Sequence, residues 1–224
     1  MRLVRGGSVV GRAGLPESSI MMDQYECRAR LGGYRAVAGI DEAGRGPLAG
    51  PVVAAAVILP PGYRHPDIND SKKLTPAKRD RLYETIRADA LAVGLGVVEA
   101  PVIDRVNILR ATLLAMRDAV VDLSVQPDYL LIDGKNRIDL ALPQDAIIGG
   151  DGKSVSIAAA SIIAKVSRDR IMEIYHRQFP QYNFLKNKGY GTDEHREAIH
   201  RFGRCKIHRL SFTVRTPGDQ PSLL

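Results

Sequence analysis

The chain of 224 residues contains no tryptophan, and only 5% of its residues are aromatic. Its core must therefore consist mainly of Val, Ile, Leu and Ala, which contribute most of the 45% hydrophobic content. That content in a chain of this length predicts one compact domain with a substantial core. No stretch approaches the roughly 20 consecutive apolar residues of a membrane-spanning helix, so we expect no contact with a membrane.

Cysteine is also scarce. Cys27 and Cys205 form neither a metal-binding spacing nor a CxxC motif, and this usage favours a reducing compartment, which we take to be the cytoplasm. The N-terminal segment has several arginines and glycines but lacks the apolar centre of a secretory signal. We therefore predict a flexible extension over residues 1–34, a catalytic domain over 35–215 and a tail over 216–224.

The net charge of +7 is concentrated in one part of the chain. Residues 165–215 contain 12 Lys and Arg against 5 Asp and Glu, so the remaining residues sum to zero. A basic C-terminal quarter on a neutral body predicts a surface that faces a polyanion such as nucleic acid. A solvated basic face without a partner would give the same count.

Hydrophobic patterning predicts an α/β domain. Five short apolar runs predict strands, at 37–41, 52–58, 91–98, 129–132 and 146–148. Amphipathic or small-residue segments predict helices at 76 to about 90, 104–123, 154 to about 178, and 193–202. Together they predict a mixed sheet of about five strands flanked by helices, with a short helical C-terminal region.

Four acidic residues follow predicted strands or lie in the loops just beyond, namely Asp41, Glu42, Asp133 and Asp151. Asp133-Gly134 and Asp151-Gly152 are by themselves common turn signals. Asp41-Glu42, however, ends an apolar strand, where two adjacent carboxylates repel each other and lose hydration. If the strand ends adjoin, four carboxylates require cations, and Mg²⁺ or Mn²⁺ prefers such oxygen ligands. Two such ions promote hydrolysis at phosphorus, which predicts phosphodiester chemistry.

Two glycine-containing motifs offer phosphate contacts. Gly44-Arg45-Gly46 presents backbone N–H groups and a guanidinium, but a strand follows it, so it is not a dinucleotide fingerprint. Gly152-Lys153-Ser154 ends like a nucleotide-binding loop, but Ile147 stands where that loop needs its first glycine. Lys153 and Ser154 are nevertheless predicted to hold a phosphate at the N-terminus of the following helix.

Six blocks of the sequence resemble, in order, those of ribonuclease HII. They are DEAGRGP (41–47), NDSKKL (69–74), LIDG (131–134), AAASIIAKVSRDR (158–170), KGYGT (188–192) and HRLSF (208–212). The resemblance implies a ribonuclease H-like fold and an endonuclease that cleaves RNA within RNA–DNA hybrids. It also implies ribonucleotide removal, by incision on the 5′ side of single ribonucleotides in duplex DNA, with 3′-hydroxyl and 5′-phosphate ends.

The same resemblance implies roles for individual residues. It assigns the four acids to catalysis, and Asp41, Glu42 and Asp133 also to metal binding. It assigns Gly44, Arg45 and Gly46 to reading the ribose 2′-hydroxyl, the group that distinguishes RNA from DNA. It assigns Tyr190 to stacking at the ribose–deoxyribose junction, although a packed loop aromatic is the alternative. Lys72, Lys153 and Ser154 complete the predicted substrate-binding set.

Two other classes of function remain open at the level of the residues. A different metal-dependent nuclease on the same fold, such as a resolvase or exonuclease, would share the acids and act on all-DNA substrates. A non-catalytic nucleic-acid-binding module would need only the basic segment, and a chelator would not affect its binding. The predicted partners are RNA–DNA hybrid and ribonucleotide-containing duplex DNA, bound by a monomer.

Overall fold

A computed structural model describes residues 22–68 and 74–214. The predictions for Lys72, for residues 1–21 and for the tail lie outside these residues. In the described ranges, the helices are α1 (Gln24–Leu31), α2 (Pro76–Asp89), α3 (Ala100–Val106), α4 (Ile108–Val121), α5 (Val155–Gln178), α6 (Phe184–Asn187) and α7 (Asp193–Phe202). The strands are β1 (Val37–Ala43), β2 (Val52–Ile58), β3 (Ala92–Val98), β4 (Tyr129–Asp133) and β5 (Gln144–Ile147). Short 3₁₀ turns cover Gly150–Gly152 and Pro180–Tyr182.

The five strands form one mixed sheet in the order β3-β2-β1-β4-β5. β1 pairs antiparallel with β2 and parallel with β4, β4 pairs parallel with β5, and β2 pairs antiparallel with β3. Every residue of β2 is buried, which explains why its sequence is continuously apolar rather than alternating. The predicted fold class and all five predicted strands are confirmed, with ends that differ by one or two residues.

Helices cover both faces of this sheet. α2 and α5 bury one face through a core that includes Leu82, Ile86 and Ile162, while α3 and α4 bury the other. Gly39 in β1 has no room for a Cβ atom, because one would collide with the backbone of Ser156. The small residues of α5 and this glycine therefore let the helix lie close against the central strand.

The predicted start of α5 is confirmed. Ser154 is its N-cap and accepts a hydrogen bond from the backbone N–H of Ile157 at 3.2 Å. Such a cap satisfies a backbone donor that the helix itself leaves unpaired. The start of α2 follows the same rule, with Thr75 capping the N–H of Lys78 and proline at the first helical position.

The prediction of a single helix over residues 104–123 is wrong. The structure contains α3 and α4, separated at Asn107, whose φ is +68°. With ψ at 165°, the Asn107 backbone is not helical, and its side chain caps α4 by accepting from the N–H of Arg110 at 3.1 Å. Apolar residues continue across the break because both helices pack on the same face of the sheet, so the periodicity conceals it.

The prediction of a flexible extension is also wrong for residues 22–34, which contain α1. Glu26 in this helix is 1% exposed, and its Oε1 accepts from Ser154 Oγ at 2.6 Å and from the N–H of Ser156 at 2.9 Å. A carboxylate at the N-terminus of α5 is favoured by the helix dipole. Because α1 is held largely by polar contacts, its sequence shows no apolar periodicity that would have revealed it.

The C-terminal region has its own small core, formed by side chains such as Met172, Tyr182, Phe184 and Ile199. It packs α6 and α7 against the last turns of α5, which confirms the predicted short helical C-terminal region. The loop that carries Tyr190 lies between α6 and α7. Among the described residues, no helix has the length and apolar character needed to cross a membrane.

Candidate active site

Three of the four predicted acids converge at the ends of two adjacent parallel strands. β1 contributes Asp41 and Glu42, and β4 contributes Asp133. Because Ile40 of β1 pairs with Ile132 of β4, the residues that follow them lie side by side. One carboxylate oxygen from each acid lies within 4.8 Å of the other two. This spacing is suited to a shared divalent cation.

The electrostatics of this cluster favour a cation. The pKa of Asp41 is raised well above its usual range, first by burial and then by the charges of Glu42 and Asp133. Burial also raises the pKa of Glu42, although Arg45 opposes the shift through an ion pair at 3.2 Å. A raised pKa means that the ionised carboxylate is less stable in the protein than in water, because too little positive charge lies nearby to offset burial and repulsion. A bound cation would supply that charge.

The fourth acid, Asp151, is not part of this three-residue group. It lies buried in the 3₁₀ turn Gly150–Gly152. The N–H of Gly150 donates to Asp133 Oδ1 at 2.7 Å. The turn that carries Asp151 is thereby bonded to a member of the cluster.

Asp41, Glu42 and Asp133 line a cleft of about 280 Å³ together with the Gly44-Arg45-Gly46 loop and Tyr190. Sequence reasoning missed three further residues of this cleft, namely Arg79, Ser161 and Lys165. Ser161 and Lys165 are four residues apart and therefore share a face of α5, which the block at 158–170 could have indicated. No sequence signal placed Arg79 here. Arg79 and Lys165 both pair with Asp169, at 3.8 and 2.7 Å, so the three side chains together add one net positive charge beside the acids.

The Gly44-Arg45-Gly46 loop is held from behind by a buried arginine. Arg209 is 1% exposed and donates to the carbonyls of Gly44 at 2.6 Å and Arg45 at 2.8 Å. Burial lowers the pKa of Arg209 to about 9, with a further contribution from Arg168. In a trans peptide the N–H points opposite to the preceding carbonyl. The N–H groups of Arg45 and Gly46 therefore point away from Arg209.

A second buried arginine connects this loop region to the loop of Tyr190. Arg168 of α5 donates to the carbonyls of Ala49, Pro51 and Lys188 at 2.9–3.2 Å. Gly44, at φ +95°, packs directly on the Arg168 side chain, and a Cβ at Gly44 would overlap it. Only glycine fits this combination of positive φ and close approach.

Tyr190 lies at the rim of the cleft with its side chain 45% exposed. Its backbone N–H donates to the carbonyl of Asn187 at 2.8 Å, and the N–H of Leu48 donates to the carbonyl of Gly189 at 2.8 Å. A Cβ atom at Gly46 would lie 3.8 Å from the Tyr190 ring. The ring and the glycine loop are therefore neighbours on one surface.

The predicted phosphate site at Ser154 is not available in the structure. Ser154 is fully buried, and its hydroxyl donates to Glu26 while capping α5. A protein carboxylate thus takes the place that a substrate phosphate was expected to fill. Lys153 is exposed and its Nζ donates to the carbonyl of Ile148 at 2.7 Å; neither residue lines the cleft.

A mixed five-stranded sheet with acids at the ends of two adjacent parallel strands places the protein among the ribonuclease H-like enzymes. A family model for Ribonuclease HII matches residues 38–215. Ribonuclease HII of Syntrophus aciditrophicus is 71% identical over 201 residues, covering 90% of this chain and 95% of that protein. The enzyme of Geotalea daltonii is 56% identical over 190 residues, covering 85% and 88%. The chain belongs to the ribonuclease HII family.

Solved structures agree. The ribonuclease H2 of Pyrococcus horikoshii superimposes with a TM-score of 0.67 at 26% identity, covering 80% of this chain and 94% of that one. The ribonuclease HII of Archaeoglobus fulgidus, solved as a complex with PCNA, gives 0.67 at 26% identity, covering 81% and 96%. Bst-RNase HIII in complex with Mn²⁺ shares the fold, with a TM-score of 0.58 at 20% identity, covering 88% and 70%. The protein is therefore a ribonuclease H, an endonuclease, and the two other classes of function are set aside.

Proposed function

We propose that the protein hydrolyses RNA in RNA–DNA hybrids and incises duplex DNA on the 5′ side of a single embedded ribonucleotide. The products are a 3′-hydroxyl and a 5′-phosphate, and the role is ribonucleotide removal in DNA repair and replication. One observation carries the proposal: the three-acid cluster opens into the same cleft as the Gly44-Arg45-Gly46 loop. Groups suited to phosphodiester hydrolysis thus adjoin groups suited to recognising a ribose.

Asp41, Glu42 and Asp133 are the residues that would hold the divalent ions, Mn²⁺ or Mg²⁺. The donor set fits, since it consists of carboxylate oxygens within 4.8 Å of one another and hard cations prefer such ligands. Two ions held by these carboxylates in the substrate complex would supply the positive charge needed to activate a water for attack and to stabilise the leaving oxygen. We propose Asp151 as the fourth catalytic acid, on a turn that is bonded to Asp133 through Gly150.

Selectivity for a ribonucleotide is assigned to backbone groups and to one aromatic ring. The N–H groups that point away from Arg209 are proposed to contact the 2′-hydroxyl, because this group alone distinguishes the two sugars. The half-exposed Tyr190 ring is proposed to stack on the neighbouring deoxyribose. Its position beside Gly46 supports this assignment, since both contacts are needed on adjacent nucleotides.

Affinity is assigned to dispersed cations. Residues 165–215 account for the whole net charge of +7, and Lys165 lines the cleft itself. Such contacts to phosphates position a duplex without reading its sequence. Lys72 and Lys153 stay proposed contributors to this surface. We propose that the protein acts as a monomer in the cytoplasm over a catalytic domain spanning 35–215.

The test is to incubate a labelled duplex that contains one ribonucleotide with the protein and Mn²⁺ or Mg²⁺, and to map the nick. We expect one nick on the 5′ side of the ribonucleotide, cleavage within an RNA–DNA hybrid, and no cleavage of the matched all-DNA duplex. Chelation should abolish the reaction. Equal cleavage of the all-DNA duplex, or cutting on the 3′ side of the ribonucleotide, would contradict the proposal.

A further inference from the structure

Two histidines lie buried behind the Tyr190 loop. His195 is in the first turn of α7, and His208 immediately precedes Arg209. They are 0% and 3% exposed, and their Nε2 atoms are 3.0 Å apart. The rings of Tyr182 and Phe184 pack edge-on against them, with centroids 4.8 Å from His208 and 5.3 Å from His195 respectively.

Backbone groups at both ends of the pair determine where the protons are. The N–H of Cys205 donates to His208 Nδ1 at 2.9 Å, a shorter contact than the 3.3 Å between that nitrogen and the Cys205 carbonyl oxygen. This nitrogen therefore accepts, and the His208 proton is on Nε2. His195 Nε2 must then accept that proton, which places the His195 proton on Nδ1. That Nδ1 lies 2.8 Å from the carbonyl oxygen of Tyr190, which only accepts. All four imidazole nitrogens are thereby paired.

The arrangement requires both rings to be neutral. A proton added to His195 Nε2 would set two N–H groups against each other across 3.0 Å. Burial lowers the pKa of His195, and burial together with His195 lowers the pKa of His208 to about 4. Cys205, whose Sγ is 3.1 Å from His208 Nδ1, stays a thiol because burial raises its pKa. Tyr182, whose pKa burial also raises, and Arg204, which lowers the pKa of His208, also face the pair, and Lys206 lies beside Cys205.

We propose that His195 and His208 are positioning residues for Tyr190, acting through one directed chain of hydrogen bonds from the Cys205 N–H to the Tyr190 carbonyl. His208 is adjacent to Arg209, which holds the Gly44-Arg45-Gly46 loop. The chain therefore sets the distance between the aromatic ring and the glycine loop. This inference rests on the proposed function in so far as Tyr190 contacts the substrate.

The proton positions can be measured without any substrate. In ¹⁵N NMR spectra of the histidine-labelled protein at neutral pH, we expect His208 as the Nε2–H tautomer and His195 as the Nδ1–H tautomer, which is the minor form in water. His200, exposed on the same helix, is the internal reference for an unconstrained ring. Two Nε2–H rings, or a charged ring, would overturn the inference.

Matched variants test the consequence. His195→Leu removes the donor to Tyr190, whereas His195→Asn keeps an N–H at the position of Nδ1, and His200→Leu is the control. We expect the Leu variant to lower single-turnover cleavage at one ribonucleotide about tenfold or more, because small misplacements of reacting groups are costly. Duplex affinity should stay within about twofold, since dispersed phosphate contacts carry it. The Asn variant should recover most of the lost rate.

A double variant separates positioning from general packing. If His195 acts through Tyr190, then His195→Leu should cause no further loss when it is combined with Tyr190→Ala. Multiplied losses, or an Asn variant no better than Leu, would overturn the inference. If His195→Leu does not fold, the cleavage rate of His195→Asn and the tautomers seen by NMR still test the inference. If Tyr190→Ala cleaves at the wild-type rate, the proposed role of Tyr190 in substrate binding is refuted. The tautomers of His195 and His208 are measured without substrate and therefore test the hydrogen-bond chain separately.

Discussion

Asp133→Asn should move activity and stability in opposite directions. The change keeps the shape of the side chain, and the Asn oxygen can still accept from the N–H of Gly150 as Asp133 Oδ1 does at 2.7 Å. It removes one of three carboxylate charges whose ligand atoms lie within 4.8 Å. If Asp133 is a metal ligand, the cleavage rate should fall far more than tenfold, which means that the activation barrier rises by more than about 1.4 kcal/mol.

The gain in stability follows from the same geometry. Two unit charges within 4.8 Å of each other repel by at least about 3.5 kcal/mol at an effective dielectric constant of about 20. The pKa of Asp41 is raised first by burial and then by the charges of Glu42 and Asp133, so Asp133 is one of the groups that disfavour the ionised form of Asp41. Removing the charge of Asp133 should therefore stabilise the metal-free protein by about 1–2 kcal/mol. The pKa of Asp41 should fall towards its ordinary value.

Two measurements are needed. Activity is measured as single-turnover cleavage of a duplex that contains one ribonucleotide, and stability is measured by urea denaturation, once in chelator and once in excess Mg²⁺. Metal should stabilise the wild type by mass action and the variant much less. Asp139→Asn is the control, because Asp139 is exposed and lies outside the cleft. A variant that keeps more than about a tenth of the wild-type rate, or that is less stable than the wild type in chelator, would refute the reasoning.

Three further predictions concern the remainder of the molecule. Glu26→Ala should destabilise the fold by roughly 2–4 kcal/mol, because it leaves two buried donors of Ser154 and Ser156 without their acceptor; a urea midpoint equal to that of the wild type would exclude this. Duplex affinity should fall steeply with salt, with a slope in log K against log salt of about −0.9 for each phosphate neutralised by residues 165–215; a slope near zero would refute that role. His208, whose folded pKa is about 4 against an ordinary 6.5, should contribute up to about 3 kcal/mol of stability. That contribution is complete above about pH 6.5 and is lost as the pH falls towards 4, because the unfolded chain then binds more protons; His208→Gln should flatten the profile in this window.

One further prediction concerns the N-terminal residues. If residues 1–34 formed the flexible extension that the sequence predicts, removing residues 1–30 would not affect stability, because the segment has no motif and no apolar periodicity. The structure shows that α1 covers the N-terminus of α5 through Glu26, with Ala29 buried beside it. A truncation at residue 30 should therefore melt below the full chain.

The sequence by itself determined the sheet and the chemistry of the cleft. Runs such as VVAAAVI predict a strand, because a continuous apolar run of that length between turn residues is typical of a buried strand and is too short for most helices. Asp41, Glu42 and Asp133 could be identified because each is a charged residue at the end of an apolar strand. Ser154 and Thr75 predict helix starts because capping is local, involving residues only three apart.

Tertiary structure alone decided the contacts between residues distant in the chain. Glu26 reaches Ser154 across 128 positions, Arg209 reaches Gly44 across 165, and neither pairing leaves a local pattern. The same holds for the proton positions of His195 and His208, which depend on backbone groups that only folding brings to each ring. Apolar periodicity indicates which side of a helix or strand faces the core. The hydrogen-bond partner of a buried polar group can be distant in the sequence, and only the folded chain places it within reach.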